Sequence, residues 1–266
     1  MPEGLVPALE PPVSRAAREA RLAARRGTSP PSIVTLAGPA GAGRTTLTAL
    51  VARTLATLGR QVLAIDLSPA DALAQLFTSE EASGRLHGSR LSARLWNGLG
   101  CVAFGEGDLG PETSEPSWLE ARLRVLVPPE CDLVLFDTPR ASHPLTQAAV
   151  AMADECVVVL DAPKVTPVAV EQARALFLAA TGRRTLAVNK YDALAKAQRA
   201  ALTTVGGLCG DAVVLAVVHA VEVMARSRTL DPGGASQACD DVRLLADGIV
   251  ARLGMPAVSA TQSLLC

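Results

Sequence analysis

Nine consecutive residues, Gly38-Pro39-Ala40-Gly41-Ala42-Gly43-Arg44-Thr45-Thr46, carry the clearest chemistry in this 266-residue chain. They match G-x-x-x-x-G-K-T with arginine in the lysine position, after an apolar run over residues 33–37 and before a helical stretch. Small residues at Gly38, Ala40, Gly41, Ala42 and Gly43 let the backbone curl, so that successive N–H groups turn inward and cradle phosphate oxygens. A helix starting near Arg44 adds its positive end to the same place. Thr45 is placed to give its hydroxyl to Mg²⁺, and Thr46 to hydrogen-bond a phosphate further in. Arg44 keeps the positive charge, but its planar fork is bulkier than an ammonium and binds bidentately. Phosphate binding follows from this pattern, whereas tuned hydrolysis does not.

Two carboxylates end apolar runs further along. Asp66 closes residues 61–66 and Asp137 closes residues 133–137. Both fall where an open α/β sheet has its functional rim, at the C-terminal ends of strands. Asp137, after four apolar residues, reads as a carboxylate that holds magnesium through water. Asp66 reads as an aid to metal or water. The run 185–189 ends in Asn189-Lys190-Tyr191-Asp192. Asn189 is placed to contact a nucleotide base. N-K-x-D is also a guanine-reading pattern, so GTP stands as an alternative to ATP, unless Asp192 merely caps the following helical stretch. His143 and His219 have no nucleophile or metal-ligand neighbours in the sequence and read as loop histidines.

Strands and helices must position these groups. Short Val-, Ile- and Leu-rich runs at 33–37, 61–66, 101–104, 133–137, 156–160, 185–189 and 213–218 do not alternate with polar residues. That is the mark of parallel strands buried on both faces. Helical stretches lie between them at 45–58, 118–126, 167–180 and 240–253. The rhythm predicts an α/β fold with a doubly wound, mainly parallel sheet of seven to eight strands. Residues 32–254 are expected to form it. Residues 78–97 and 105–117 look like irregular insertions. Residues 1–31 read as an extension with a basic helix, in which Arg15, Arg18, Arg21 and Arg25 form one stripe, and residues 255–266 as a flexible tail.

Composition narrows the class. Apolar residues make up 49% and charged residues 19%, with a net charge of −1. No run approaches the ~20 apolar residues of a membrane-spanning helix, so no transmembrane segment is expected. The apolar content rules out full disorder. Arginines are dispersed outside residues 15–26, so no nucleic-acid partner is expected. The six cysteines show no C-x-x-C spacing, and no apolar signal stretch opens the chain; both point to a cytoplasmic protein with reduced thiols. Lysine occurs at Lys164, Lys190 and Lys196 alone, which leaves 22 of the 25 basic residues as arginine.

Taken in order, these segments resemble the ParA/MinD (SIMIBI) class of deviant P-loop ATPases over residues 32–253. In that class the loop reads K-G-G-x-G-K-[ST]-T, with D-x-D-P and D-x-P at two later strand ends. Here the first signature lysine falls on Pro39, the loop lysine on Arg44 and the second Asp of D-x-D-P on Ser68. Within the class the chain resembles the BcsQ (YhjQ) branch, accessory to bacterial cellulose secretion, in Asp66…Pro69, Asp137…Pro139-Arg140, Asp161-Ala162 and Phe104-Gly105. The resemblance implies a P-loop NTPase fold, ATP with Mg²⁺, a nucleotide-sandwich homodimer, and weak or absent hydrolysis. It also implies small Bcs accessory proteins and the inner-membrane cellulose synthase complex as partners. The alternatives are an active partitioning or positioning ATPase of the ParA/MinD type and a GTP-binding relative.

Overall fold

The computed structural model describes residues 30–70, 72–77, 81–85, 95, 97–103, 116–206, 213–219 and 237–256. The expected basic helix, the Phe104-Gly105 pair, Cys209, Cys266 and most of the tail lie outside them. In chain order the elements are β1 (Ser32–Ala37), α1 (Arg44–Thr57), β2 (Val62–Asp66), β3 (Ala82–Arg85), β4 (Leu99–Ala103), α2 (Pro116–Leu126) and β5 (Leu133–Asp137). After these come α3 (Pro144–Met152), β6 (Glu155–Asp161), α4 (Pro167–Ala179), β7 (Arg183–Tyr191), α5 (Lys196–Gly206), β8 (Val213–His219) and α6 (Gln237–Arg252).

The strands form one eight-stranded sheet in the order β3-β4-β2-β5-β1-β6-β7-β8. Every pairing in it is parallel. Chain direction across the sheet reverses around β1, which lies between β5 and β6. Such a reversal leaves a crevice at the C-terminal strand ends. The phosphate-loop sequence leaves β1 at that crevice.

Burial on both faces accounts for the uniformly apolar strands. On one face Val34 and Leu36 pack with Leu47, Leu50, Val51 and Leu55 of α1 and Val242, Leu245 and Ile249 of α6. On the other, Ile33 packs with residues of α2 and α3. Ala37 and the even-numbered positions of β6 pack with α4. Each large side chain buried this way contributes about 1.5–3 kcal/mol, so the base of the crevice is held rigidly. One buried polar residue, Thr35, donates its hydroxyl to the Ala149 carbonyl of α3 at 2.9 Å.

At the opposite sheet end from the crevice, Glu155 opens β6 fully buried. It accepts from the Thr185 hydroxyl at 2.7 Å and from Arg252 Nε at 2.9 Å, which ties α6 to the sheet. The region 78–97, expected to be irregular, contributes β3, which pairs with β4 through Ala82↔Cys101 and Arg85↔Ala103. An edge strand needs one backbone ladder, so Ala-Ser-Gly-Arg forms one without an apolar pattern. Cys101, Cys131, Cys156 and Cys239 are buried and not joined in disulfides. No helix among the described residues is long and apolar enough to cross a membrane.

Candidate functional site

The turn from β1 to α1 is shaped by two glycines. Gly38 has φ +154, and a Cβ there would lie 2.2 Å from the Val159 carbonyl oxygen of β6. Only glycine lets the loop leave β1 so close to its neighbour. Gly43, in the left-handed region at φ +87, ends the loop and precedes α1. It offers no side-chain cap and the first turn of α1 has no acidic residue. The first N–H groups of α1, at Arg44, Thr45 and Thr46, therefore suit an anionic acceptor from outside the chain. Ala40 and Gly41 form the exposed outer turn, and Ala42 is buried.

Arg44 turns back along the loop. Its Nη1 donates to the Gly38 carbonyl and, at 3.2 Å, to the Pro39 carbonyl. Its Nε is buried and unpaired among the described residues. Burial pulls the guanidinium below its ordinary pKa, and the Asp137 charge opposes that. The guanidinium thus braces the inner half of the loop from the lysine position.

Register brings the carboxylates together. Asp66 of β2 lies opposite Asp137 of β5, which lies opposite Leu36 of β1. Both carboxylates are fully buried. Their surroundings differ. Asp66 Oδ1 accepts the Ser68 N–H at 2.8 Å and Oδ2 the Leu73 N–H at 2.9 Å. These bonds shape the chain after β2, which Arg53 of α1 holds by donating to the Leu76 carbonyl at 3.0 Å and to Glu81 at 2.9 Å. Asp66 therefore braces its own loop, beside the metal position that the sequence suggested it assists. Ser68 is half-buried two residues on.

Both oxygens of Asp137 are buried without a hydrogen-bond partner among the described residues. Burial pushes its pKa up to about 7; the Thr45 hydroxyl, which approaches the carboxylate without closing a well-formed hydrogen bond, opposes this, as does the Arg44 charge, while the Asp66 charge adds to it. A buried carboxylate with idle oxygens beside a threonine hydroxyl suits a hard divalent cation, which takes oxygen ligands and keeps several waters. Asp137 and Thr45 are thus the residues that fit Mg²⁺.

The end of β7 closes the other side of the loop. Asn189 Nδ2 donates to the Ala42 carbonyl at 2.9 Å, and Lys190 Nζ to the Gly41 carbonyl at 2.8 Å. The sequence placed Asn189 against a base; the structure places its amide against the loop, within the same rim. Lys190 also reaches Asp161 Oδ2 at 3.2 Å, across the β6–β7 pair Asp161↔Asn189. The roles of Lys190 and Asp161 were not evident from the sequence. The rarity of lysine was the available signal, since Lys164 also approaches Asp161, at 3.8 Å.

Asp192 Oδ1 accepts the Leu194 N–H at 2.9 Å, which makes it a turn cap before α5. His143 caps α3, its Nδ1 accepting the Leu145 N–H at 3.2 Å, and burial followed by the Arg140 charge lowers its pKa. His219 is the last residue of β8 rather than a loop residue.

Solved structures share this architecture. A McdA variant from Cyanothece in complex with ATP matches with a TM-score of 0.66 at 16% identity, over 86% of this chain and 98% of that one. The septum site-determining protein MinD from Pyrococcus horikoshii, complexed with Mg-ADP, matches with a TM-score of 0.62 at 17% identity, over 82% and 95%. Cobyrinic acid a,c-diamide synthase from Mycobacterium smegmatis, with a bound ATP analogue and magnesium, matches with a TM-score of 0.64 at 19% identity, over 86% and 99%. At such identities the likeness is one of fold. No curated protein sequence matches significantly. The model of the cellulose biosynthesis protein BcsQ family matches residues 32–247, well over half of the chain.

Proposed function

The chain belongs to the BcsQ family of cellulose biosynthesis proteins, and from that membership and the rim geometry we propose that it is an ATP-binding accessory protein of bacterial cellulose biosynthesis and secretion. The observation that carries the nucleotide reading is Asp137, fully buried at a strand end with two idle oxygens beside Thr45 and the phosphate-loop turn. Gly38, Ala40, Gly41, Ala42 and Gly43 supply the cradle, Arg44 the positive charge, and Thr45 and Thr46 the hydroxyls. Thr45 and Asp137 hold Mg²⁺ with the phosphates. Asn189 lies where the base end of the nucleotide falls. Magnesium held there would neutralise phosphate charge.

Hydrolysis is weak or absent in this reading. Pro39 replaces a lysine that in the ParA/MinD class reaches the nucleotide of a second subunit. Ser68 replaces a carboxylate that orients water, and Asp66 is committed to the Ser68 and Leu73 N–H groups. ATP then acts chiefly to hold a nucleotide-sandwich homodimer. The dimer serves small Bcs accessory proteins and the cellulose synthase complex from the cytoplasmic side of the inner membrane. The committed Asp192 favours ATP over GTP.

Calorimetric titration of the full chain with Mg-ATP and Mg-GTP tests the site. Binding of ATP that Thr45→Ala weakens at least tenfold supports it; preferential GTP binding, or an unaffected Thr45→Ala variant, overturns it. Sedimentation with a non-hydrolysable ATP analogue tests the dimer, and co-purification with the cellulose synthase complex tests the pathway. Rapid ATP turnover by the wild type would favour the second reading, an active partitioning or positioning ATPase.

A further inference from the structure

The phosphate loop is held at four of its backbone carbonyls by side chains from two places. Arg44 braces the carbonyls of Gly38 and Pro39. The carbonyls of Gly41 and Ala42 are braced from β7, by Lys190 and Asn189. The two halves differ in packing. Gly38 is wedged against β6, whereas a Cβ at Gly41, where φ is +76, would meet nothing within 4 Å. Among the described residues nothing packs there, so hydrogen bonds shape the outer turn, those from β7 together with the long contact from the Ala42 N–H to the Pro39 carbonyl.

We propose that Lys190 is a positioning residue for phosphate binding, holding the outer turn of the loop in its binding shape through the Gly41 carbonyl. This rests on the reading that the loop binds nucleotide. A peptide unit is planar and trans, so its carbonyl and its N–H point in opposite directions. Drawing the Gly41 carbonyl toward Lys190 turns the Ala42 N–H to the other side of the loop. That N–H has a long internal contact, 3.4 Å to the Pro39 carbonyl, which a charged phosphate oxygen outcompetes. Asn189 on the Ala42 carbonyl orients the Gly43 N–H in the same way.

Lys190 is itself built for this task. It is one of two non-glycine residues with positive φ among the described residues, at +57. That conformation is strained for a non-glycine residue. It is stabilised here by Asn189 Oδ1, which accepts the Lys190 N–H at 2.9 Å. Asp161, 7% exposed and rooted in β6, pairs with the ammonium at 3.2 Å and fixes its position from the far side. A compact ammonium fits between one carbonyl and one carboxylate where a planar guanidinium fork fits poorly. The two loop positions that carry lysine in the resembled class hold Pro39 and Arg44 here. One of this chain's three lysines thus serves the same loop from another strand.

The test separates phosphate positioning from base contact by using inorganic triphosphate with magnesium as a probe without a base. Affinities for this probe and for Mg-ATP are measured by calorimetry on the full-length wild type, Lys190→Met, Lys190→Arg and Asp161→Asn. Losing one charge-assisted bond predicts that Lys190→Met weakens both ligands by a similar factor, about ten- to hundredfold. Lys190→Arg recovers part of that loss, and Asp161→Asn weakens both ligands in the same direction by a smaller factor. Unchanged triphosphate affinity in Lys190→Met overturns the proposal; if ATP alone weakens, Lys190 is a base contact. If circular dichroism shows that Lys190→Met is unfolded, Asp161→Asn decides on the same criterion. A folded wild type that binds neither ligand overturns the nucleotide reading itself.

Discussion

Replacing Asp137 by Asn gives a signature set by the rim carboxylates. In the folded protein Asp137 titrates near 7, against an ordinary value of 3.8, because it is buried and faces Asp66. A carboxyl with a raised folded pKa keeps its proton where the unfolded chain has already lost it. Stability therefore falls as pH rises from about 4 to about 7, and the penalty is complete above that. At about 1.4 kcal/mol per pKa unit the full penalty is about 4 kcal/mol, of which less than half is present at pH 5. Asparagine is neutral throughout, so Asp137→Asn removes the penalty. Any packing cost of the amide is the same at both pH values. The readout is thus the difference: the stability of the variant relative to wild type should be about 3 kcal/mol more favourable at pH 8 than at pH 5. Urea unfolding of both proteins, nucleotide-free and without magnesium, measures it. Addition of Mg-ATP at pH 8 should then stabilise the wild type far more than the variant. A relative stability that is equal at pH 5 and pH 8, or less favourable at pH 8, would refute the argument that a strained buried carboxylate awaits a cation.

Other perturbations have equally direct outcomes. The magnesium-dependent part of ATP affinity should rise between pH 6 and pH 8, since Asp137 must lose its proton to hold the ion; calorimetry at fixed free magnesium checks this. Gly43→Ala forces a Cβ to 2.4 Å from Asn189 Nδ2 at φ +87, and should cost about 1–3 kcal/mol along with nucleotide affinity, measured by unfolding and titration. Arg252→Ala leaves the fully buried Glu155 without its cation. It should lower stability by about 3–5 kcal/mol and leave nucleotide affinity unchanged, because the pair lies at the far sheet end. A Ser68→Asp, Arg44→Lys double variant should release phosphate from ATP faster than the wild type; no gain would show that these two positions do not limit turnover.

Much of this protein was legible before folding was considered. Apolar runs without alternation announced parallel strands covered on both faces, because a side chain buried on either face has no use for polarity. The spacing of Gly38, Gly43, Thr45, Asp66 and Asp137 pointed to one rim of the sheet, because a tight βα turn and strand-end carboxylates are local properties of the chain, and the structure does bring these residues to that rim. Elements set by pairing rather than pattern were less visible. β3 exists through its ladder to β4, and four residues of mixed polarity carry no trace of it.

Tertiary structure alone decided how the rim groups divide their work. Asp66 and Asp137 look alike in sequence, each ending an apolar run. Register sets them side by side, and the backbone N–H groups of Ser68 and Leu73 occupy one and leave the other idle. Asn189 read as a base contact, and Lys190 had no assigned role. The approach of β7 to the β1–α1 turn sets both side chains against loop carbonyls, from a distance of 147 to 149 residues in the chain. A sequence determines which groups can accept, donate or carry charge. Which of them are left unpaired depends on what the fold brings within about 3 Å, and that distance is set by strand order and register.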